Sequence, residues 1–136
     1  MWKKLGIIFA VSFLFGAAAF NYLKPTFYGY SKEFTVYDGF SSSVRSKTVG
    51  EGDFPLVTAC GESFNVNNGE ITPQQIIDEY SGTLVFTEKT EEGESFYAYS
   101  EKIAKYVKIY GRKVNLHIFV GKKTTVVGSP IIFGSF

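Results

Sequence analysis

The alternation of apolar and polar residues is clearest near the carboxyl end of the chain. Apolar residues occupy every second position from 114 to 120, and the positions between them hold Asn115, His117 and Phe119. A two-residue period sends successive side chains to opposite faces of a β-strand. Gly121-Lys122-Lys123 then separates this run from a β-branched run at 124–128, which is typical of a hairpin. The pattern predicts a hairpin over 114–128 with one face buried.

One helix is predicted in the middle of the chain. Thr72-Pro73-Gln74-Gln75 supplies an N-cap hydroxyl, a proline at the first helical position and a glutamine at the third, which is the capping-box arrangement. Ile71 and Ile76 have the spacing of a hydrophobic staple, and Gly82 suits the left-handed position beyond the helix. Because so short a helix is not stable alone, it must pack on a sheet.

Further strands are predicted on both sides of this helix. Before it they cover 33–37, 44–49, 54–59 and 62–66, with turns at Asp38-Gly39 and Asn67-Asn68-Gly69. After it they cover 83–87, 95–100, 105–109 and 112–120, with turns at 88–93 and Tyr110-Gly111. Residues 131–136 form either a last edge strand on the core or an exposed apolar segment. This order predicts an α+β fold, an antiparallel meander sheet with the helix on one face.

The amino terminus has the layout of an export signal. Two lysines precede an apolar run of 11 residues, Leu5 to Phe15, and small residues follow it. This favours a secretory signal peptide with a cleavage site at Ala17-x-Ala19. Extended to Leu23, the span reaches about 19 residues, which is enough for an uncleaved membrane anchor. Both interpretations place the rest of the chain outside the cytoplasm, secreted or held at the cytoplasmic membrane.

Length and composition fit one folded domain. The 136 residues are 45% hydrophobic and 18% aromatic, which argues against disorder. We predict a signal peptide over 1–19 or an anchor to about residue 23, a connector over 20–32, and a single domain over 33–136. The one cysteine, Cys60, excludes an intramolecular disulfide and leaves two alternatives, a small buried residue or a link between two chains.

Charge is distributed unevenly although the net charge is only +1. Residues 33–101 contain 13 acidic and three basic residues, whereas residues 102–136 contain seven basic residues and no acidic ones. The basic third could present a positive surface to an anionic partner, or its charges could be balanced by neighbouring acidic segments. After residue 19 the chain has 12 basic and 13 acidic residues, so we expect no nucleic-acid binding.

The carboxyl end also carries a family resemblance. Lys113 to Ile118, with Thr124-Thr125-Val126-Val127-Gly128-Ser129-Pro130-Ile131-Ile132, resembles the ending of the YwmB-type exported proteins of Firmicutes. That resemblance covers roughly residues 62–136 and is sharp over the last two dozen. It implies an exported protein with a fold like the TATA-box-binding protein. Family members have two helix-and-sheet halves, and this chain has room for one.

Candidate catalytic residues are few. His117 could act as a general base, but no Ser/Asp pair has a diagnostic spacing with it, and the alternative is a surface or hydrogen-bonded strand histidine. Glu62 is a single carboxylate without a visible partner for glycosidase chemistry. Glu91, Glu92 and Glu94 suit a solvated turn better than a cation site. We therefore expect no metal and no cofactor.

The sequence favours a non-enzymatic envelope domain whose molecular role is uncharacterised. Its expected partner is a protein or an anionic envelope polymer, with the membrane as a further partner if the N-terminal segment is uncleaved and a homodimer as a further possibility. The candidate partner-binding residues are Asn115, His117, Phe119, Lys108, Arg112, Lys113, Lys122 and Lys123. The alternative is an exported cell-wall hydrolase that uses His117 or Glu62.

Overall fold

The structure is a computed structural model, and it describes residues 2–23, 26–27, 34–38, 45–49 and 61–132. Within these residues the elements are, in chain order, α1 (Trp2–Leu23), β1 (Phe34–Asp38), β2 (Arg45–Val49), β3 (Gly61–Asn67), α2 (Pro73–Glu79), β4 (Thr83–Lys89), β5 (Glu94–Tyr99), β6 (Val107–Ile109), β7 (Arg112–Val114), β8 (Leu116–Val120) and β9 (Thr124–Ser129).

Seven of these strands form one antiparallel sheet in the order β2-β1-β3-β9-β8-β5-β4. Strands β6 and β7 pair only with each other among the described residues. Helix α2 covers one face of the sheet, where Ile76 and Ile77 join a core that also contains Phe64, Ala98, Leu116, Ile118 and Val127. The predicted α+β fold, an antiparallel meander sheet with one short helix on one face, is confirmed.

The start of α2 follows the capping prediction. The Thr72 hydroxyl accepts the Gln75 backbone N–H at 3.2 Å, and the Gln75 side chain accepts the Thr72 N–H at 2.9 Å. Both groups would otherwise lack a partner at a helix start. The two buried residues of the helix, Ile76 and Ile77, then face the sheet, and Ile71 packs against the same core.

The end of α2 differs from the prediction by one residue. The Ser81 N–H donates to the Asp78 carbonyl and the Gly82 N–H to the Ile77 carbonyl, at 3.0 and 2.8 Å. These two bonds define a Schellman motif whose left-handed residue is Ser81, with φ of 51°. The prediction that Gly82 takes this position is wrong. Gly82 instead permits a close approach, because a Cβ there would lie 3.3 Å from the Tyr99 carbonyl oxygen.

The predicted strand over 112–120 is broken at Asn115. Strand β7 ends at Val114 and pairs with β6, whereas β8 begins at Leu116 and lies between β5 and β9. All residues from 116 to 119 are buried, so β8 is covered on both faces and not only on the one face that the alternation predicted. Leu116 belongs to the core beneath α2, and His117 is covered on the opposite face.

The segment predicted as a connector contains part of the core. Phe27 is fully buried, and its ring packs edge-on against Phe64 and Tyr80 with centroids 4.8 and 6.2 Å away. The Glu62 carboxylate accepts the backbone N–H groups of Thr26 and Phe27 at 2.7 and 3.1 Å. The Tyr80 hydroxyl donates to the Thr26 carbonyl at 3.1 Å. Thr26 and Phe27 are therefore fixed to the folded unit by backbone and side chain.

Most of the other strand predictions are confirmed within two residues, namely 33–37, 44–49, 62–66, 83–87, 95–100 and 105–109. The turn after β3 is also confirmed, and Gly69 has the positive φ that it requires. The predicted strand at 54–59, residue Cys60, Gly39 of the first turn and residues 133–136 lie outside the described residues. The likeness to half of a TATA-box-binding-protein fold stays a prediction.

Helix α1 carries large apolar side chains that no other described residue covers. Residues 2–17 are all exposed, and the most exposed rings belong to Trp2, Phe9, Phe13 and Phe15. Among the described residues, none of the helices combines the length and the apolar character needed to cross a membrane. The signal-peptide and anchor interpretations both stay predictions.

Ser81→Gly should stabilise the fold. Glycine adopts the left-handed conformation without the steric penalty that serine has at φ of 51°, so the free energy of unfolding should rise by about 0.5–1 kcal/mol. The measurement is a urea denaturation midpoint of the full chain. Ser81→Ala keeps the penalty and serves as the control. Equal stabilities of the glycine and alanine variants would contradict the assignment of Ser81 to this position.

Candidate functional site

A row of stacked rings crosses the sheet on the face opposite α2. Phe86 of β4, Tyr97 of β5, His117 of β8 and Gly128 of β9 are neighbours in the strand register. The Phe86 and Tyr97 rings stack with centroids 4.4 Å apart, and the Tyr97 and His117 rings with centroids 4.3 Å apart. Cross-strand aromatic pairs of this kind stabilise a sheet. Phe86 and Tyr97 are half-buried and His117 is buried, so the row becomes more deeply covered toward β8.

Residues 130–132 close the inner end of the row. A Cβ on Gly128 would lie 2.7 Å from Cγ1 of Ile132, so this position has no room for a side chain. The Ile132 backbone N–H donates to Nδ1 of His117 at 3.1 Å. Ile131 and Ile132 are half-buried, which fits the predicted alternative in which the chain end lies on the core. The last four residues of that segment lie outside the described part of the chain.

His117 is buried, with 4% of its surface exposed. Because Nδ1 accepts the Ile132 N–H, the proton of the neutral imidazole is on Nε2, which donates to the Ser95 hydroxyl 3.0 Å away. Burial lowers the pKa of His117 to about 4. A general base for Ser95 would need an unprotonated Nε2. This pair therefore has the proton on the wrong nitrogen for hydrolytic chemistry.

Asn115 fixes the loop that follows β5. It is fully buried, and its side-chain amide donates to the carbonyls of Ser100 and Ile103 at 2.7 and 3.0 Å. Its Oδ1 accepts the Ser100 N–H at 2.8 Å, and its backbone carbonyl accepts the Ser129 hydroxyl at 2.8 Å. These bonds supply partners for backbone groups that have no strand neighbour. Asn115 therefore has a structural role.

Phe119, the third candidate from the strand pattern, is also buried. Its ring lies against Gly93 and Gly121, where an added Cβ would come within 2.9 and 3.2 Å of ring atoms. Asn115, His117 and Phe119 are thus all in the interior and contribute no exposed binding surface. Sequence alternation alone did not show this, because the residues that cover the second face come from other segments.

The basic candidates fall into two separate places. Lys108, Arg112 and Lys113 are exposed on the β6–β7 hairpin, and Lys122 and Lys123 are exposed in the turn between β8 and β9. These places lie at opposite ends of β8, whose five residues span roughly 16 Å. The structure does not bring all five cations together. Their role in partner binding stays a prediction.

Aromatic rings hold two of the hairpin cations. The Arg112 guanidinium carbon lies 5.1 Å from the Phe86 ring centroid, at the outer end of the stacked row, and its Nη1 donates to the Val85 carbonyl at 3.2 Å. The Lys113 ammonium lies 4.7 Å from the Tyr106 centroid. Cation–π contacts at these distances are favourable. The hairpin therefore presents cations in defined positions on an exposed surface.

Glu62 has a structural environment that the sequence did not indicate. Burial raises its pKa, while the hydrogen bonds from Thr26 and Phe27 and the positive charge of Lys105 act in the opposite direction. Its carboxylate is directed at the Thr26–Phe27 backbone. No sequence pattern links residues 35 positions apart, so this contact could not be predicted from the sequence. Both oxygens are used for holding the chain together.

The described residues contain no group of three or more His, Cys, Asp or Glu side chains that could hold a metal ion. Glu91 and Glu92 are exposed in the turn before β5, and Glu94 begins that strand. In the comparisons with known proteins, no family model, no curated protein and no solved structure matches this chain. The YwmB-like resemblance stays a prediction, and the site is interpreted from its geometry alone.

Asn115→Asp should destabilise the fold strongly. A carboxylate cannot donate hydrogen bonds to the Ser100 and Ile103 carbonyls. None of the described contacts gives it a cation as a partner, so it would be a buried and unpaired charge. The free energy of unfolding should therefore fall by an amount on the order of 3–5 kcal/mol. Urea denaturation at about pH 7.5 measures it. Asn68→Asp is the control, because Asn68 is an exposed turn residue and the change removes one exposed hydrogen bond, to the Gly121 carbonyl. Similar losses for both variants would contradict the role of Asn115.

His117 should make stability fall as the pH is lowered. Its folded pKa of about 4 lies below the ordinary value of 6.5, so its contribution is present above 6.5 and is lost as the pH falls toward 4. The loss between pH 7.5 and 5 should be about 2 kcal/mol. Glu62, with a raised pKa, acts in the opposite direction and favours the fold at low pH.

The histidine contribution is isolated by comparing urea midpoints of the wild type and His117→Asn across about pH 5 to 7.5. Asparagine keeps an acceptor near the Nδ1 position but does not titrate. The variant should be less stable at pH 7.5 and should lose about 2 kcal/mol less than the wild type on acidification. Parallel pH profiles for the two proteins would show that His117 is not responsible.

Proposed function

We propose that this chain is an exported or membrane-anchored domain of the cell envelope that acts by binding a partner and not by catalysis. The observation that carries the proposal is the separation between α1 and the folded unit. The side chains of residues 2–17 are exposed, whereas Thr26 and Phe27, a few residues further on, are fixed to the core. A leading apolar helix whose residues 2–17 stay exposed fits a targeting segment.

The position of Thr26 supports this proposal further. Cleavage at Ala17-x-Ala19 would remove most of α1 and leave Thr26 and Phe27 with the domain. The same docked residues would hold the domain close to the membrane surface if the segment is retained as an anchor. Either outcome delivers an intact core to the outside. A role of the YwmB-like kind, with a protein or an anionic envelope polymer as partner, is consistent with both.

The hydrolase alternative is less well supported. It depends on His117 or Glu62, and both are buried side chains whose polar atoms bond to the chain itself. The Ser95–His117 contact of 3.0 Å resembles a nucleophile and base, but the proton position on His117 opposes that role. A binding function needs no such residues. A homodimer that completes a larger sheet remains a further prediction.

Export is tested by expressing the full chain with a carboxyl-terminal epitope in a Gram-positive host and treating intact cells with protease. The epitope should be secreted or degraded from outside, because Lys3 and Lys4 in the first turn of α1 retain the amino terminus in the cytoplasm. A chain lacking residues 2–19 is the control and should stay protected. The mass of the product distinguishes cleavage from anchoring. An epitope of the full chain that stays protected in the cytosol would contradict the proposal.

A further inference from the structure

The β6–β7 hairpin contains an unfavourable pair of charges. The strand register places Lys108 directly opposite Lys113 on one face of the hairpin and Ile109 opposite Arg112 on the other face. Side chains directly opposite in an antiparallel pair have Cβ atoms about 5 Å apart, and like charges there are destabilising. Lys113 is directed over Tyr106 and Tyr99, at 4.7 and 6.0 Å from the ring centroids. Three cations thus lie on a hairpin of six strand residues.

The turn of the same hairpin has a second unfavourable feature. Tyr110 and Gly111 both have positive φ, 51° and 74°, which is the geometry of a type I′ turn. Asparagine and glycine are the usual residues there, because a bulky side chain at positive φ is strained. Tyr110 is 78% exposed and packs edge-on against Phe86, 5.8 Å away between centroids. Local strain that stability does not explain is typical of functional surfaces.

Arg112 is positioned in advance on this surface. The Phe86 ring and the Val85 carbonyl hold its guanidinium, and only Nη1 is used in that hydrogen bond. A guanidinium held in this way loses little conformational freedom when it binds an oxyanion. Residues 102–136 include no acidic residue, so the hairpin strands themselves offer no counter-charge.

We propose that the β6–β7 hairpin, through Lys108, Arg112 and Lys113, is the binding surface for an anionic polymer that carries repeated phosphate or carboxylate groups. This proposal adds a binding surface and a partner class to the proposed function, and it rests on that function for the location of the polymer. A polymer carries several anionic groups along one chain, so it can pass around the edge of the hairpin, neutralise the Lys108–Lys113 pair on one face and engage Arg112 on the other. A single small anion can satisfy only part of the site.

The test measures binding of the full chain, purified in a mild detergent, to inorganic polyphosphate and to poly-L-glutamate by titration calorimetry. At least one polymer should bind, and its affinity should fall on the order of 20-fold between 50 and 200 mM NaCl for three cations. The tighter polymer identifies phosphate or carboxylate as the preferred group. Monomeric phosphate at the same phosphate concentration should bind far more weakly. Equal binding per phosphate would overturn the polymer proposal in favour of an adventitious ion only.

Lys108→Glu gives the decisive variant. It replaces a like-charge pair by an opposite-charge pair, so the melting temperature should rise by roughly 1–4 °C while polymer affinity falls at least tenfold. Lys122→Glu makes the same charge change in the turn between β8 and β9 and should weaken binding by less than twofold. Equal losses in the two variants would show that binding follows net charge, and would overturn the assignment to the hairpin.

Lys108→Thr is a second variant, which keeps the test valid if the glutamate variant does not fold. It removes the repulsion without adding a charge, and should raise the melting temperature slightly and weaken binding about fivefold. A lower melting temperature in both variants would overturn the argument from like charges. Binding in a chain that is not exported would leave the surface assignment intact and refute only the envelope location. Export without binding would refute the hairpin surface alone.

Discussion

Burial of strand β8 on both faces is the constraint on which most of the structure depends. Leu116 and Ile118 lie beneath α2, while His117 and Phe119 are covered on the other side. A polar group in such a strand cannot reach water, so each one must find a partner inside the protein. His117 therefore bonds to Ser95 and Ile132, and Asn115, next to the strand, bonds to the loop at 100–103. Residues 130–132 and this loop are fixed because β8 is buried.

A second consequence concerns the other end of the core. Strand β3 places Glu62 at the edge of the region where Phe27 inserts, and the carboxylate satisfies two backbone N–H groups there. Removing a carboxylate from water is unfavourable, and this is why the pKa of Glu62 is raised in spite of its hydrogen bonds. The burial of Phe27 acts against that penalty, since a fully buried phenylalanine side chain contributes about 1.5–3 kcal/mol. Glu62 and Phe27 together attach residues 26–27 to the core.

Local features could be predicted from the sequence, and features that depend on distant residues could not. The Thr72 cap involves groups three residues apart, so its pattern is sufficient to place the helix. The prediction placed the left-handed residue at Gly82, one position too far along the chain. A glycine can be required because a neighbouring group lies close to it and not because of a turn. For Gly82 that group is the Tyr99 carbonyl, which is distant in the sequence. The burial of His117 depends on residues 130–132, and no period in the strand reveals that cover.

The charge pair of the hairpin is an intermediate case. A two-residue turn at Tyr110-Gly111 implies that Lys108 faces Lys113, and the structure has that register, but the stacked row that ends at Arg112 joins side chains on β4, β5 and β8.

A charge has different energetic consequences in the interior and on the hairpin, and among the described residues this contrast favours the hairpin as the proposed binding surface. In the interior a single unpaired charge would lower stability by several kcal/mol, so Asn115 and the neutral form of His117 occupy those positions. Even if their ammonium groups came as close as about 5 Å, two lysines in water would repel by only about 0.8 kcal/mol, and salt reduces this further. Strands β6 and β7 pair outside the main sheet, and both lysines are exposed to water. The fold can therefore keep a charge pair that a bound polyanion turns from unfavourable to favourable.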